Sequence, residues 1–539
     1  MTLSYSSLKV SIPAIIFSGF LLITHSASAQ RAKTHTLTAD EAKLVKKDAN
    51  GAFTSGDFNS ALLSYKDLVK SSAENPEYNY RYGVCLLNTN SIKSKAVEHL
   101  EKASLAPGTK KDVWYYLGMA YMNANKWDEA ITAFNTSKTN NILKPTKDFL
   151  PVERMIEMCN NGKEIAAHPI DVKFENMTKI INTPFEEYNP MISADGKTLA
   201  FTSRRKGNMG GFIPELGVYT ADIFSSTWRD TIWTKARSMG ATVNSDWDEE
   251  TVGMTHDGNQ IILYFDNMEY FGDLGISMSK GRNWQKPIMM SPTVNGKSIE
   301  GSGCLSNDGQ VLYFSSDKKE GQGMSDIWFC IRQTTGEWST PQNIGPVINT
   351  KYDETDPFIS LDGHTLYFCS KGHSSMGGFD IFYSKYDSGT AKWSEPKNLG
   401  YPLNDADDQI SFSMTGNEQI AYVAAVREGG LGDKDIYKVT FNDTATHPFH
   451  ALISGLVTSP NGAKVELRQV SLLSKPDKKV LGVYKPYFMS NEYVLNGFPG
   501  EYFLKVEGYG FPVIEEEIKI EEGVPPVDLV KNFSVDVAK

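Results

Sequence analysis

Residues 38–163 carry apolar side chains at helical spacing. From residue 171 onward the apolar positions alternate, or run in short blocks broken by Gly, Asp and Asn. The first pattern predicts amphipathic helices and the second predicts short strands joined by tight turns. Within the β part, an aliphatic residue followed by Asn recurs five times: Ile181-Asn182, Val243-Asn244, Val294-Asn295, Ile348-Asn349 and Leu403-Asn404. The Asn residues are 62, 51, 54 and 55 apart. A period of that length means one supersecondary unit per repeat, stacked so that neighbours bury each other's apolar faces.

The helical part has its own period. Trp114, Leu117, Gly118 and Tyr121, followed by Ala130 and Phe134, fit the tetratricopeptide pattern. Gly83, Ala96, Leu100 and Pro107 stand one repeat earlier. Ala49, Ala52, Ala61, Tyr65 and Pro76 form the first copy. Ala61, Ala96 and Ala130 are 35 and 34 apart, so small residues recur where paired helices must approach closely. Pro151–Asn160 reads as a capping helix. A three-repeat array over residues 30–168 presents a concave groove suited to a peptide or a partner's helix. The alternative is a spacer.

Each β repeat contains a strand, an Asp-Gly hairpin turn and a second strand. The clearest are Ile192–Phe201 and Ile359–Phe368, with Asp257-Gly258 and Asp308-Gly309 as further turns and Thr415-Gly416 as a fifth copy. A third strand opens at Asp222, Asp326, Asp380 and Asp435, and a fourth carries Trp233, Trp284, Trp338 and Trp393. The fifth repeat has no fourth strand of its own, so residues 171–176 are expected to supply it and close a ring. The reading is a five-bladed β-propeller over residues 169–441. Eight residues before each turn stands an acid: Glu187, Glu249, Glu300, Glu354 and Asp407. This is a candidate carboxylate ring near one channel mouth, for a cation or a basic partner segment. The competing reading, preferred here, is structural hydrogen bonding to the linkers. Residues 442–450 read as a linker. Residues 451–539 read as a small β-sandwich, with strands near Ile453–Val457, Lys464–Arg468, Tyr493–Leu495 and Tyr502–Val506 and little structure after Pro525-Pro526.

Charge and chemistry narrow the function. The net charge of −11 argues against a nucleic-acid partner. Residues 171–441 carry 24 basic and 36 acidic side chains, so the acidity belongs to the β repeats. Lys9, the apolar run Val10–Ile23 and Ala27-Ser28-Ala29 predict a signal peptide over residues 1–29, hence export to the periplasm, outer membrane or cell surface. No later run suits a transmembrane helix. Cys85, Cys159, Cys304, Cys330 and Cys369 are scattered, without metal or C-x-x-C spacing, and read as buried thiols. No G-x-S-x-G elbow or H-E-x-x-H is present, and Gly follows Asp directly, unlike sialidase-type repeats. His256 and His364 flank hairpin turns and read as exposed. The pairs Asp353/Glu354 and Asp407/Asp408 recur with the repeat, as structural residues do. The Gly-rich loops such as Gly207–Gly211 lack the strand–loop–helix context of a phosphate cradle. The expectation is therefore no enzyme, no catalytic residues and no cofactor or metal.

The repeats resemble TolB-like (WD40-like) propeller repeats, and Ser374–Phe382 with Asn398-Leu399-Gly400 resembles envelope proteins of the Bacteroidota. Pro499–Phe511 resembles a carboxypeptidase-regulatory-like, transthyretin-type domain. This order of modules is similar to the periplasmic component of type IX secretion that bridges cell wall and outer membrane. Members of that family continue into an OmpA-like domain that is lacking here, so no peptidoglycan-binding residues carry over. The resemblance implies a multidomain α + β scaffold: α-solenoid, five-bladed β-propeller and transthyretin-like β-sandwich. Its expected partner is an outer-membrane β-barrel or a secretion or gliding component. A glycan- or peptidoglycan-binding accessory protein is the alternative.

Overall fold

A computed structural model describes residues 37–139, 150–213, 217–267, 270, 272–280, 283–443, 449–485, 491–523 and 525–537. The expected signal peptide lies outside the described residues. Six helices form three antiparallel pairs: α1 (Ala39–Ser55), α2 (Phe58–Ser71), α3 (Pro76–Leu87), α4 (Ala96–Ser104), α5 (Val113–Asn123) and α6 (Trp127–Thr139). A seventh, α7 (Val152–Ala167), covers the last pair. It is longer than the sequence suggested, because Gly162 continues the helix against the Trp127 ring. Thr38 and Glu41 make a capping box at the start of α1, and Gly56 ends it with φ 84°. The small residues act as expected. A Cβ added at Gly83 would stand 2.6 Å from Leu100, and one at Gly118 would stand 2.7 Å from Phe134. A larger side chain at either site would force the helix pair apart.

The remainder is antiparallel sheet. Five sheets follow one another, with their first strands at Glu187–Ile192, Asp248–Met254, Glu300–Leu305, Glu354–Ile359 and Ser413–Met414. The first strands of the first four sheets pack on one another in turn, Ser411 of the fifth sheet donates to Asp356 of the fourth, and the first and fifth sheets meet at Ile192 and Ser413, so the five form a closed ring. Val172–Asn176 pairs antiparallel with Asp435–Phe441 and completes the fifth sheet from the N-terminal side. Asn176 bonds there to Asn182 and Asp435, as Asn343 does with Asn349 and Asp326, and Asn398 with Asn404 and Asp380.

Two further sheets share one core in the C-terminal region, around Ile453, Val470, Leu495, Leu504 and Phe533. The ordered sheet extends past Pro525-Pro526, beyond the strands that the sequence predicts. Leu529–Val530 and Phe533–Ser534 run parallel to Ala451–Thr458 and complete its sheet. The expected linker is also not loose at its end, because Phe449 and His450 are buried.

The three regions stack. The helical array lies on the face where the linkers enter the five-sheet ring. The Arg154 guanidinium donates to the carbonyls of Lys371 (2.7 Å) and Gly372 (2.8 Å), Lys93 pairs with Asp407, and Asn90 donates to Glu186 at 2.9 Å. The C-terminal region lies on the opposite, hairpin face. There Asn496 donates to Gly416 O at 2.8 Å and Tyr484 to Asp257 at 3.1 Å.

Candidate functional site

The five linker Asn residues have a structural task. Each side chain bonds both the N–H and the C=O of one residue in the third strand of the sheet before it: Ile436, Ile223, Leu274, Ile327 and Ile381 in turn. An amide side chain offers one acceptor and two donors, so it replaces a missing neighbouring strand. In four of the five sheets the preceding Asp of the third strand accepts backbone N–H bonds from the Gly-rich loop. Asp222 takes Met209, Asp326 takes Gly323, Asp380 takes Met376 and Asp435 takes Leu431. These aspartates fold the loops, a role that the sequence reading did not assign.

The candidate carboxylates separate into two kinds. Glu187, Glu249, Glu300 and Glu354 are buried. Each accepts the backbone N–H four residues earlier in its own linker, from Thr183, Ser245, Gly296 and Thr350. Glu187 and Glu300 also hold Arg205 and Lys318. Burial pushes Glu249 up to about 7, against the bonds from Ser245, and pushes Glu354 up to about 7 in the same way. Asp407 is not the fifth member. It is part-exposed and pairs with Lys93 of the helical array. Gln409 holds the equivalent place, accepting Asp405 N–H at 2.9 Å and donating back to the Asp405 carboxylate at 2.7 Å.

The misalignment came from the fifth hairpin. Its turn is Asn417-Glu418 and not Thr415-Gly416. Glu418 has φ 60°, where Gly196, Gly258, Gly309 and Gly363 have 69°, 71°, 64° and 74°. The four glutamates therefore clamp linkers rather than converge. Among the described residues, no three His, Cys, Asp or Glu side chains lie close enough to hold one metal ion.

The axis of the ring is packed. A Cβ on Gly253 would stand 2.0 Å from Gly303 O, and Met191, Met254, Cys304, Phe358 and Phe412 surround a small cavity there. Above them, Asn189, Thr251, Ser302, Asp356 and Ser411 occupy one equivalent position per sheet. Asp356 N donates to Ser302 Oγ at 2.9 Å, and Ser411 N to Asp356 at 3.3 Å. His364 is exposed as expected, but His256 is buried. His256 Nε2 lies 3.0 Å from Ile359 O, and burial lowers its pKa to about 4. The reason is tertiary, since its imidazole reaches Ile359 and the Phe358 ring in the first strand of the fourth sheet. All five cysteines are buried and free.

An open feature stands in the helical array. Leu62, Leu63 and Lys66 of α2, Tyr82 and Leu86 of α3, and Ser91, Ile92 and Lys95 line a groove of about 200 Å³. Leu62, Leu63, Tyr82, Leu86 and Ile92 supply its apolar surface, and both charged members are lysines. Lys95 meets Glu428 of the fifth sheet at 3.2 Å, with both side chains more than half exposed, so the pair is weak. The groove therefore opens where the array meets the ring. Sequence reasoning named the concave face but not these residues.

A family model described as anaphase-promoting complex, cyclosome, subunit 3, of tetratricopeptide type, matches residues 54–137. No curated protein matches the sequence. Among solved structures, the Sgt2 TPR domain from Aspergillus fumigatus is 18% identical, over 24% of this chain and 83% of that one, with TM-score 0.20. The Arabidopsis OM64 TPR domain is 17% identical, over 22% and 94%, with TM-score 0.19. A putative 6-phosphogluconolactonase from Bacteroides uniformis is 12% identical, over 63% and 86%, with TM-score 0.29. The chain thus joins a tetratricopeptide-repeat domain to a large region of antiparallel sheet.

Proposed function

We propose that this protein is a non-enzymatic scaffold whose helical array captures a segment of a protein partner in the groove of α2 and α3. The carrying observation is that groove: five apolar side chains and two lysines on its lining, and a position beside the five-sheet ring. Apolar side chains with at least one Asp or Glu suit it, since the carboxylate can displace Glu428 from Lys95. In this reading the five sheets are a five-bladed propeller that holds the array at a fixed angle. The C-terminal region is a transthyretin-like sandwich that caps the other face. Carboxylates occupied by their own linkers and a packed axis support a holding role over a catalytic one. The resemblance of the module order supports a cell-envelope setting. The partner proposed there is an outer-membrane β-barrel, or a secretion or gliding component.

The test is crosslinking in cells through a C-terminal tag, followed by identification of what co-purifies from the membrane fraction. The expected result is one stoichiometric envelope protein, lost when Leu63→Asp and Lys66→Glu are combined. A monomer with no partner, or retention by the double variant, would overturn the groove assignment. A polysaccharide array would then be the next measurement.

A further inference from the structure

The helical array reports how a helix sits on this ring. Met376, in the Gly-rich loop of the fourth sheet, is fully buried among Tyr115, Met122, Trp127, Met155 and Met158 of α5, α6 and α7. Its loop is clasped by Arg154 at the Lys371 and Gly372 carbonyls and by Asn161 at Ser375 O, 3.0 Å away. The next residue, Gly377, presses on the following linker, where an added Cβ would stand 2.3 Å from Ala406.

The first sheet repeats this arrangement without a helix. Met209 N–H bonds to Asp222 as Met376 N–H bonds to Asp380. A Cβ added at Gly210 would stand 2.2 Å from Asp246 O, and Asp246 lies two residues past its linker Asn, as Ala406 does. Yet Met209 is 42% exposed, Phe212 52% and Trp247 48%. These are three exposed apolar side chains, two of them in the loop whose fourth-sheet counterpart, Met376 to Phe379, is covered. The surface also continues an existing interface, since Gly217, beyond Phe212, lies against Ser60 of α2, where the helix-covered arc ends. Asp246 beside Trp247 is exposed, which favours a basic residue at the edge of whatever docks.

We propose that the junction of the first and second sheets, with Met209, Phe212 and Trp247, is a second helix seat. It takes an amphipathic α-helix of a partner protein, with an apolar stripe flanked by a Lys or Arg. The seat is separate from the groove of α2 and α3 and stands or falls independently of it.

The experiment places photoreactive p-benzoylphenylalanine at Phe212 in the full chain, irradiates cells, and sequences the crosslinked peptide. The expected adduct is a helical segment of another protein with an apolar stripe and a flanking Lys or Arg. Its yield should fall at least tenfold with Trp247→Asp and stay unchanged with Ile288→Asp. Met209→Ser gives the same reading should Trp247→Asp fail to fold. Four outcomes would overturn the proposal: a yield no higher than from the same probe at Ile288, an adduct with lipid or polysaccharide, an adduct with a strand or loop, or one with a second copy of this chain.

Discussion

At the scale of the residue, burial alone does not mark function in this ring. Glu249 and its three counterparts sit in water-free surroundings because each has linker donors to satisfy, and an orphaned buried donor is costly. The fifth sheet shows which part of that chemistry is required. Gln409 replaces the carboxylate, Asp405 replaces the Ser or Thr, and donor and acceptor exchange places. Glu249→Gln should therefore cost less than about 1 kcal/mol, because Ser245 can accept from the new amide. Glu249→Ala should cost about 2–3 kcal/mol by orphaning the Ser245 donors. The pH dependence follows from a folded pKa of about 7, above the ordinary 4.5. The stabilisation is full below 4.5 and is lost as pH rises through 7. Urea melts at pH 5 and pH 8 should show that slope in the parent and a flatter one in Glu249→Gln. An amide variant as unstable as the alanine variant would refute the exchange argument.

At the scale of the element, ring closure rests on Val172–Asn176. The strand covers the edge of Asp435–Phe441, and Asn176 completes the same Asn–Asn–Asp chain found in the third and fourth sheets. Deleting residues 171–176 should expose that edge and loosen the fifth sheet first. Hydrogen exchange over residues 405–440 should speed up while residues 300–330 keep their protection. Equal protection of 405–440 with and without the strand would remove this account.

The elements were largely legible in the sequence because their signals are local. Helix pairs announce themselves by small residues at close approaches, and hairpins by Asp-Gly. The fifth hairpin was misread for the same reason. Glu418 takes a left-handed backbone that Gly normally occupies, so the nearby Thr415-Gly416 looked like the turn. That slip of two residues put Asp407 in the place of Gln409. The short strands at Leu529–Val530 and Phe533–Ser534 had no periodic signal, being two residues each and held by a distant partner.

At the scale of the whole molecule, the five-sheet ring carries helices along part of one face and the C-terminal sheets on the other. His256 lies near the covered hairpin face, in the turn whose Asp257 receives Tyr484. Its folded pKa of about 4 lies below the ordinary 6.5 because burial disfavours the cation. The neutral ring contributes stability that is full above 6.5 and is lost as pH falls toward 4. Calorimetry between pH 7 and pH 4.5 should show a steeper loss for the parent than for His256→Gln. Parallel curves would mean that other groups govern the acid limb.

What the sequence determined is whatever short-range physics encodes: two periodicities, the repeat length, the turn residues and the missing outer strand. Each of these depends on neighbours within a few residues or on recurrence along the chain. Which polar groups are already occupied, and which apolar groups remain uncovered, follows instead from contacts between distant segments. The glutamates are held by their own linkers, His256 is buried against the first strand of the fourth sheet, and Met376 is covered while Met209 is not. Those outcomes depend on which surfaces the fold brings together. Two identical loop residues can then have opposite surroundings, because one lies beneath three helices and the other lies beyond the end of the array.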